Sequence, residues 1–131
     1  MRKAVAGVLA VFMCLFIFTG CFNDRTLEQI VTPQNIEEAK KMAMDQPEFA
    51  KTFRAVDVEF DDNNVTCKYY LKETFDSSQL TVIKSRIETC GYEKQIIELK
   101  NKIEKESGIR PEKLTYEFYT NGGQIITTIE G

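Results

Sequence analysis

The strongest constraint on the fold of this chain is a pair of neighbouring runs in which apolar and polar residues alternate. Val56, Val58 and Phe60 alternate with acidic residues, and the alternation resumes over residues 65–71, after an Asp- and Asn-rich tetrad at 61–64. A period of two residues is typical of a half-buried strand. Because Asp and Asn tolerate left-handed backbone, the tetrad predicts a turn, and the two runs predict a β-hairpin.

A second hairpin is predicted near the C-terminal end of the sequence. Leu114, Tyr116 and Phe118 alternate with more polar residues, and residues 124–129 return as a β-branched run. The Asn-Gly-Gly segment at 121–123 between them suits a turn that needs positive φ.

Helices are predicted before each hairpin. Thr32-Pro33 opens the first helical region with a hydroxyl cap and a proline at the first position, and Pro47 restarts it. The second region covers residues 76–108 and is expected to break at Gly91 and to end at Gly108. The order predicts an α+β fold with two layers, helix–hairpin–helix–hairpin, in which the helices pack on one face of a four-stranded antiparallel sheet.

The N-terminal segment predicts export. Arg2-Lys3 precedes Ala4 to Phe22, a segment without a charge, and small residues close its apolar run, which is the layout of a secretory signal. Its end, Phe18-Thr19-Gly20-Cys21, resembles the lipobox of bacterial lipoprotein signals, in which the thiol receives a lipid and cleavage occurs before the cysteine. Phe18 departs from the usual Leu. Cleaved secretion without a lipid, and an uncleaved anchor long enough to cross a bilayer, are the alternatives.

These features predict a domain organisation and an address. We expect a signal peptide at residues 1–20, a lipidated (palmitate-bearing) Cys21 with a short tether at 21–31, and one domain at 32–131 on the extracytoplasmic side of the cell membrane. All 20 acidic residues follow Cys21, and the whole chain carries 17 basic residues. Since no basic face or polybasic patch is evident, we expect no nucleic-acid partner, and membrane contact only through the lipid on Cys21.

Four segments of the chain carry a resemblance to a known family. The layout of residues 27–131 resembles that of small lipoproteins, mainly from Gram-positive bacteria, which share a domain of unknown function numbered 4854. The resemblance implies a lipoprotein of the cell envelope and brings no activity and no functional residues. The segments are Leu27-Glu28-Gln29-Ile30-Val31, Val65-Thr66-Cys67-Lys68-Tyr69-Tyr70, Glu106-Ser107-Gly108-Ile109 and Leu114-Thr115-Tyr116-Glu117-Phe118-Tyr119.

The residue types argue against most enzyme classes. The sequence contains no His, no Gly-rich phosphate loop and no serine in a nucleophile-elbow context. The tetrad at 61–64 lacks the ligand spacing of a calcium loop. We therefore expect no cofactor, no metal and no catalytic residue, and the alternative is an envelope enzyme that uses carboxylates.

Two further pairs of residues are candidates for a specific role. Cys67 and Cys90 are not expected from the family, and they form a candidate disulfide if their Cα atoms come within about 7 Å. Two buried free thiols are the alternative. Tyr70 and Tyr119 lie on the polar parity of their strands, so they are a candidate binding surface for a peptide or glycan, unless they serve sheet packing alone.

The resulting functional hypothesis is a membrane-tethered binding or interaction module of the cell envelope. Its partner is expected to be an envelope protein, a peptide or a glycan. A structural or stress-related surface protein without a small ligand is the third reading.

Overall fold

The four strands follow one another across a single sheet in the order in which they occur in the chain. The computed structural model describes residues 26–131, so the predicted signal peptide and Cys21 lie outside the described residues. The strands are β1 (Phe53–Asp61), β2 (Asn64–Leu71), β3 (Lys113–Tyr119) and β4 (Ile125–Glu130).

Five helices accompany the sheet in the described part of the chain, and their limits follow local signals. They are α1 (Leu27–Ile30), α2 (Pro33–Met44), α3 (Pro47–Thr52), α4 (Ser77–Glu88) and α5 (Tyr92–Ser107). Thr32 caps α2 as predicted, since its hydroxyl accepts a hydrogen bond from the Asn35 amide while Pro33 occupies the first turn. The mixture of these helices with one sheet confirms the predicted α+β class.

The predicted break in the second helical region is confirmed at Gly91. This residue has φ 84°, a left-handed value that glycine adopts without a side-chain penalty, and it separates α4 from α5. Gly108 has φ 77° and ends α5, with its amide donating to the Glu104 carbonyl.

The prediction of a fully antiparallel sheet is wrong at the centre of the sheet. The β1–β2 and β3–β4 pairs are antiparallel hairpins, whereas β2 and β3 run parallel and make the sheet mixed. The connection between β2 and β3 contains α4 and α5, and such a helical crossover is what returns a chain to the starting end of a parallel neighbour. Alternation of apolar residues is the same in both arrangements, so the pattern could not distinguish them.

The core is lined by one face of the central strands. In β2, every second residue is buried, from Val65 to Leu71, and the residues between them are half-buried. Six aromatic rings from α3, α5 and three strands meet in this core at centroid distances of 4.9–6.5 Å, which makes it an aromatic cluster. We call this set the inner cluster; its members are Phe49, Phe53, Tyr69, Tyr92, Tyr116 and Phe118.

The folded unit includes α1, which lies inside the stretch assigned to the tether from the sequence. Leu27 and Ile30 are buried in the core, as is Val31. The Leu27 amide donates to Asn63 Oδ1 at 3.1 Å, and the Glu28 carboxylate accepts from the Asp62 amide at 3.1 Å. The chain is thereby fastened to the β1–β2 turn before α2 begins. Within residues 26–131, no helix is long and apolar enough to cross a membrane.

Candidate binding site

The register of the sheet defines two ends of the domain. The turn end contains the β1–β2 turn, and β3 starts there because Lys113 is paired with Asn64. The open end is opposite, where Leu71 is paired with Phe53, and Tyr119 with Ile125. Both of the surfaces described below lie at the open end, whereas the chain enters the domain at the turn end.

The two tyrosines predicted to form a binding surface are brought together by the parallel pairing of β2 and β3. Tyr70 and Tyr119 are register partners, and their rings stack with centroids 4.9 Å apart and an interplanar angle of 17°. Both side chains are half-buried. We call this pair the outer stack.

The outer stack is fixed by polar neighbours at the same end of the sheet. The Arg54 guanidinium lies over the Tyr70 ring, 4.9 Å from its centroid, and its Nε donates to the Asn121 carbonyl at 2.8 Å. The Tyr119 hydroxyl donates to Glu117 Oε1 at 2.8 Å. Burial, and then this hydrogen bond, raise the pKa of Tyr119 above its usual value. Because Arg54 and Tyr119 approach from strands on opposite sides of β2, both faces of the Tyr70 ring are covered.

A second surface at the open end is a groove between α3, the segment after β2, and α4. Its deeper part has a volume of about 240 Å³, and an adjoining open part along α4 has about 390 Å³. We call it the α3–α4 groove. Its apolar floor and its cationic rim are formed by Leu71, Phe75, Val82, Ile83, Lys51 and Arg86.

The cations of the α3–α4 groove differ from most other cations of the domain. Of the three arginines in the described range, Arg54 bonds to a carbonyl and Arg110 bonds to Asn101 and Glu104. Arg86 has no side-chain hydrogen bond or ion pair with any residue in 26–131, and the same holds for Lys51. Glu73 also lines the groove, so its lining carries two cations and one anion.

The candidate disulfide is not formed in this structure, in which both thiols are free. Cys67 is fully buried on the core side of β2, between Val58 and Tyr116 in the register. Burial raises the pKa of Cys67 to about 12. A thiol in this state is a poor nucleophile, since the thiolate is the reactive form. Cys90 lies at the junction of α4 and α5 and is half-buried.

Carboxylates are found in structural roles near both ends. Asp76 caps α4, and its hydrogen bonds with Ser78 and with the Gln79 amide lower its pKa, which is opposite to what a general acid needs at neutral pH. At the turn end, the carboxylate oxygens of Glu28, Asp61 and Asp62 lie within 4.8 Å of one another and are exposed. This acidic cluster was not anticipated from the sequence, because Glu28 lies far from the turn in the chain.

The α3–α4 groove was also not predicted. Its lining comes from three elements that no local pattern connects. The one available signal was Val82, an apolar residue that is 52% exposed and whose neighbours one helical turn away on α4, Ser78 and Arg86, are polar. Comparison with protein-family models, with curated protein sequences and with solved structures finds no match to this chain. The family resemblance therefore stays a prediction, and no residue takes its role from a relative.

Proposed function

We propose that this protein is a lipid-anchored extracytoplasmic domain of the cell envelope that binds a partner protein or peptide and is not an enzyme. The observation that carries the binding role is the outer stack, an aromatic pair that remains half-exposed on the central strands although the core is rich in aromatic rings. Aromatic side chains beside an arginine are the residue types that most often dominate binding energy at protein interfaces.

We further propose a two-layer arrangement in which the helices cover one face of the sheet and leave the face of the outer stack accessible. Alternating burial along β2 supports it, because the residues on the face of Tyr70 are half-buried whereas those on the face of Tyr69 are buried. The outer face also carries paired charges, including Lys68 and Glu59 with their charged atoms 2.9 Å apart. A mixture of aromatic and charged groups is typical of a non-obligate interface.

The geometry of the outer stack favours a peptide or protein over a glycan. A sugar ring packs against an open aromatic face, but Arg54 and Tyr119 occupy the two faces of Tyr70. Ring edges and hydroxyl groups remain, and these can contact side chains and donate or accept hydrogen bonds.

The place at which the chain enters the domain is consistent with a tethered orientation. If Cys21 carries the lipid, only residues 22–26 separate it from Leu27, a span of about 20 Å when extended. Since Leu27 is fastened to the β1–β2 turn, the turn end faces the membrane and the outer stack faces away from it. A partner outside the membrane can then reach Tyr70 and Tyr119.

The anchor is tested by intact mass spectrometry of the membrane fraction. We expect a chain that begins at Cys21 and carries the mass of the attached lipid, and a Cys21→Ala variant that is released from the membrane or retains residues 1–20. An unmodified wild-type chain that retains residues 1–20 would refute the lipid anchor and support the uncleaved form.

The binding role is tested by crosslinking in intact envelopes. We expect the Tyr70→Ser/Tyr119→Ser double variant to lose a crosslinked partner that the wild type captures. The matched control is Ile97→Ser, which removes an apolar side chain that is 50% exposed on α5 and lies outside the outer stack. An unchanged set of partners in the double variant would refute the role of the outer stack.

A further inference from the structure

The α3–α4 groove is a concave surface separate from the outer stack. The groove and the outer stack share no residue, although both lie at the open end of the domain. Its deeper part is close to the lower limit of common ligand pockets, about 300 Å³, so it suits one large side chain better than a whole cofactor.

The floor of the groove is apolar, so it suits an apolar group of a ligand. Leu71 and Ile83 are buried at its base, and Phe75 is half-buried against the core. Val82 continues the apolar surface along α4 at 52% exposure. Covering Val82 and Phe75 with an apolar side chain would remove this surface from water, which is favourable.

The rim of the groove carries two cations, which would attract an anionic group. Arg86 and Lys51 have no side-chain partner among the described residues, whereas the other two described arginines are engaged. A guanidinium presents several donors in one plane and matches a carboxylate in a bidentate arrangement. The single carboxylate in the lining, Glu73, leaves a net positive charge in a protein whose formal net charge is −3.

The remaining lining favours a peptide. Thr52, Glu73 and Gln79 add hydroxyl, carboxylate and amide groups at the margin, beside the apolar floor. These groups can form hydrogen bonds with peptide amides, whereas an acyl chain offers no such partners. We propose that the α3–α4 groove binds a peptide that places one large apolar side chain on Phe75 and Ile83, and a carboxylate against Arg86 and Lys51.

The chain contains no tryptophan, so the indole emission of a probe peptide is not overlaid by indole emission from the protein. The probe is N-acetyl-Ala-Leu-Trp with a free C-terminal carboxylate, and its C-terminal amide is the uncharged control. Both are titrated into the full-length chain in detergent while indole emission is recorded. We expect a saturable blue shift with the acid, and affinity about fivefold weaker with the amide, the size of a partly exposed ion pair.

Three variants assign the effect to the groove. Arg86→Gln should reduce the preference for the acid over the amide, with Lys51 left as the remaining cation. Val82→Asp should weaken both probes because it places a charge on the apolar surface of the groove. Val82 is exposed enough for this change to leave the fold intact. Lys94→Gln is the matched control, since it removes one exposed positive charge from α5 outside the groove. Probe partition into detergent is common to all variants and cancels in the comparison.

The proposal is overturned by equal affinity for acid and amide in the wild type. It is also overturned if Arg86→Gln behaves like Lys94→Gln. Saturable binding of laurate that depends on Arg86, together with no binding of the peptide, would instead identify an amphiphile site and refute the peptide. Because the titration uses neither the lipid on Cys21 nor the outer stack, its failure would leave the proposed function untouched.

Discussion

Two aromatic pairs that are adjacent in sequence differ in how deeply they are buried. Tyr69 and Phe118 stack at 5.3 Å with an interplanar angle of 23°, and Tyr70 and Tyr119 stack at 4.9 Å and 17°. Both pairs join β2 to β3 in the same register. The first is wholly buried in the inner cluster, while the second is half-exposed. Stacking geometry is therefore similar on the two faces, and the pairs differ in burial, which is complete for Tyr69 and Phe118 and partial for Tyr70 and Tyr119.

The strongest test of this comparison replaces one residue on each face of β3. Phe118→Ala should lower the free energy of unfolding by about 3–5 kcal/mol, because it leaves a cavity in the buried core. Tyr119→Ala should cost about 1 kcal/mol, since its ring is partly solvated and loses mainly one stacking contact. Denaturant unfolding of the full-length chain measures both. Equal losses would show that the outer stack is a structural element, and would remove the basis of the proposed binding surface.

The next largest effect concerns the thiols. At pH 8, a cysteine with a pKa of about 12 has a thiolate fraction about a thousandfold lower than an ordinary thiol. Native protein treated with iodoacetamide should therefore be modified at Cys90 well before Cys67, as followed by peptide mass spectrometry. Equal rates of modification at Cys67 and Cys90 would contradict the burial of Cys67 in the core. If both cysteines react only after a reductant is added, the result would support the disulfide predicted from the sequence.

The smallest expected effect on stability concerns the carboxylate of Asp76, which lies outside both aromatic pairs. Hydrogen bonds with Ser78 and the Gln79 amide lower the pKa of Asp76 in the folded state, so its contribution to stability is present above its unfolded pKa. It is lost as the pH falls through the lower folded value, in a window below about pH 4. Asp76→Asn should flatten this part of an acid-unfolding curve, and Asp45→Asn serves as the control. A curve unchanged by Asp76→Asn would contradict the capping role.

Much of the local structure could be predicted because its signals are local. Thr32-Pro33, Gly91 and Gly108 each set a helix boundary through their own backbone requirements, and the 61–64 tetrad forms the hairpin turn. The direction of β3 could not be predicted, because the apolar alternation of β2 and β3 is compatible with parallel and antiparallel neighbours. The pairing of Tyr70 with Tyr119 depends on that direction. The sequence could therefore predict that each tyrosine lies on the polar face of its strand, but not that the two rings are in contact.

The groove and the early helix were missed for related reasons. Lys51, Leu71 and Arg86 converge from separate elements, and only the packing of α3 and α4 at the open end places them side by side. Helix α1 has four residues, too few for any period to be detected. Its position depends on contacts with residues distant in the chain, such as Asn63, whose side chain accepts from the Leu27 amide.

The attachment of α1 to the β1–β2 turn has a mechanical consequence. A pull on the chain from its N-terminal side reaches α1 before the sheet. Helix α1 is held by its hydrogen bonds with Asp62 and Asn63 and by the buried side chains of Leu27 and Ile30. We expect these contacts to break before the hydrogen bonds between the four strands, because they are far fewer. Release of α1 would then lengthen the segment that precedes α2 and leave the four strands paired.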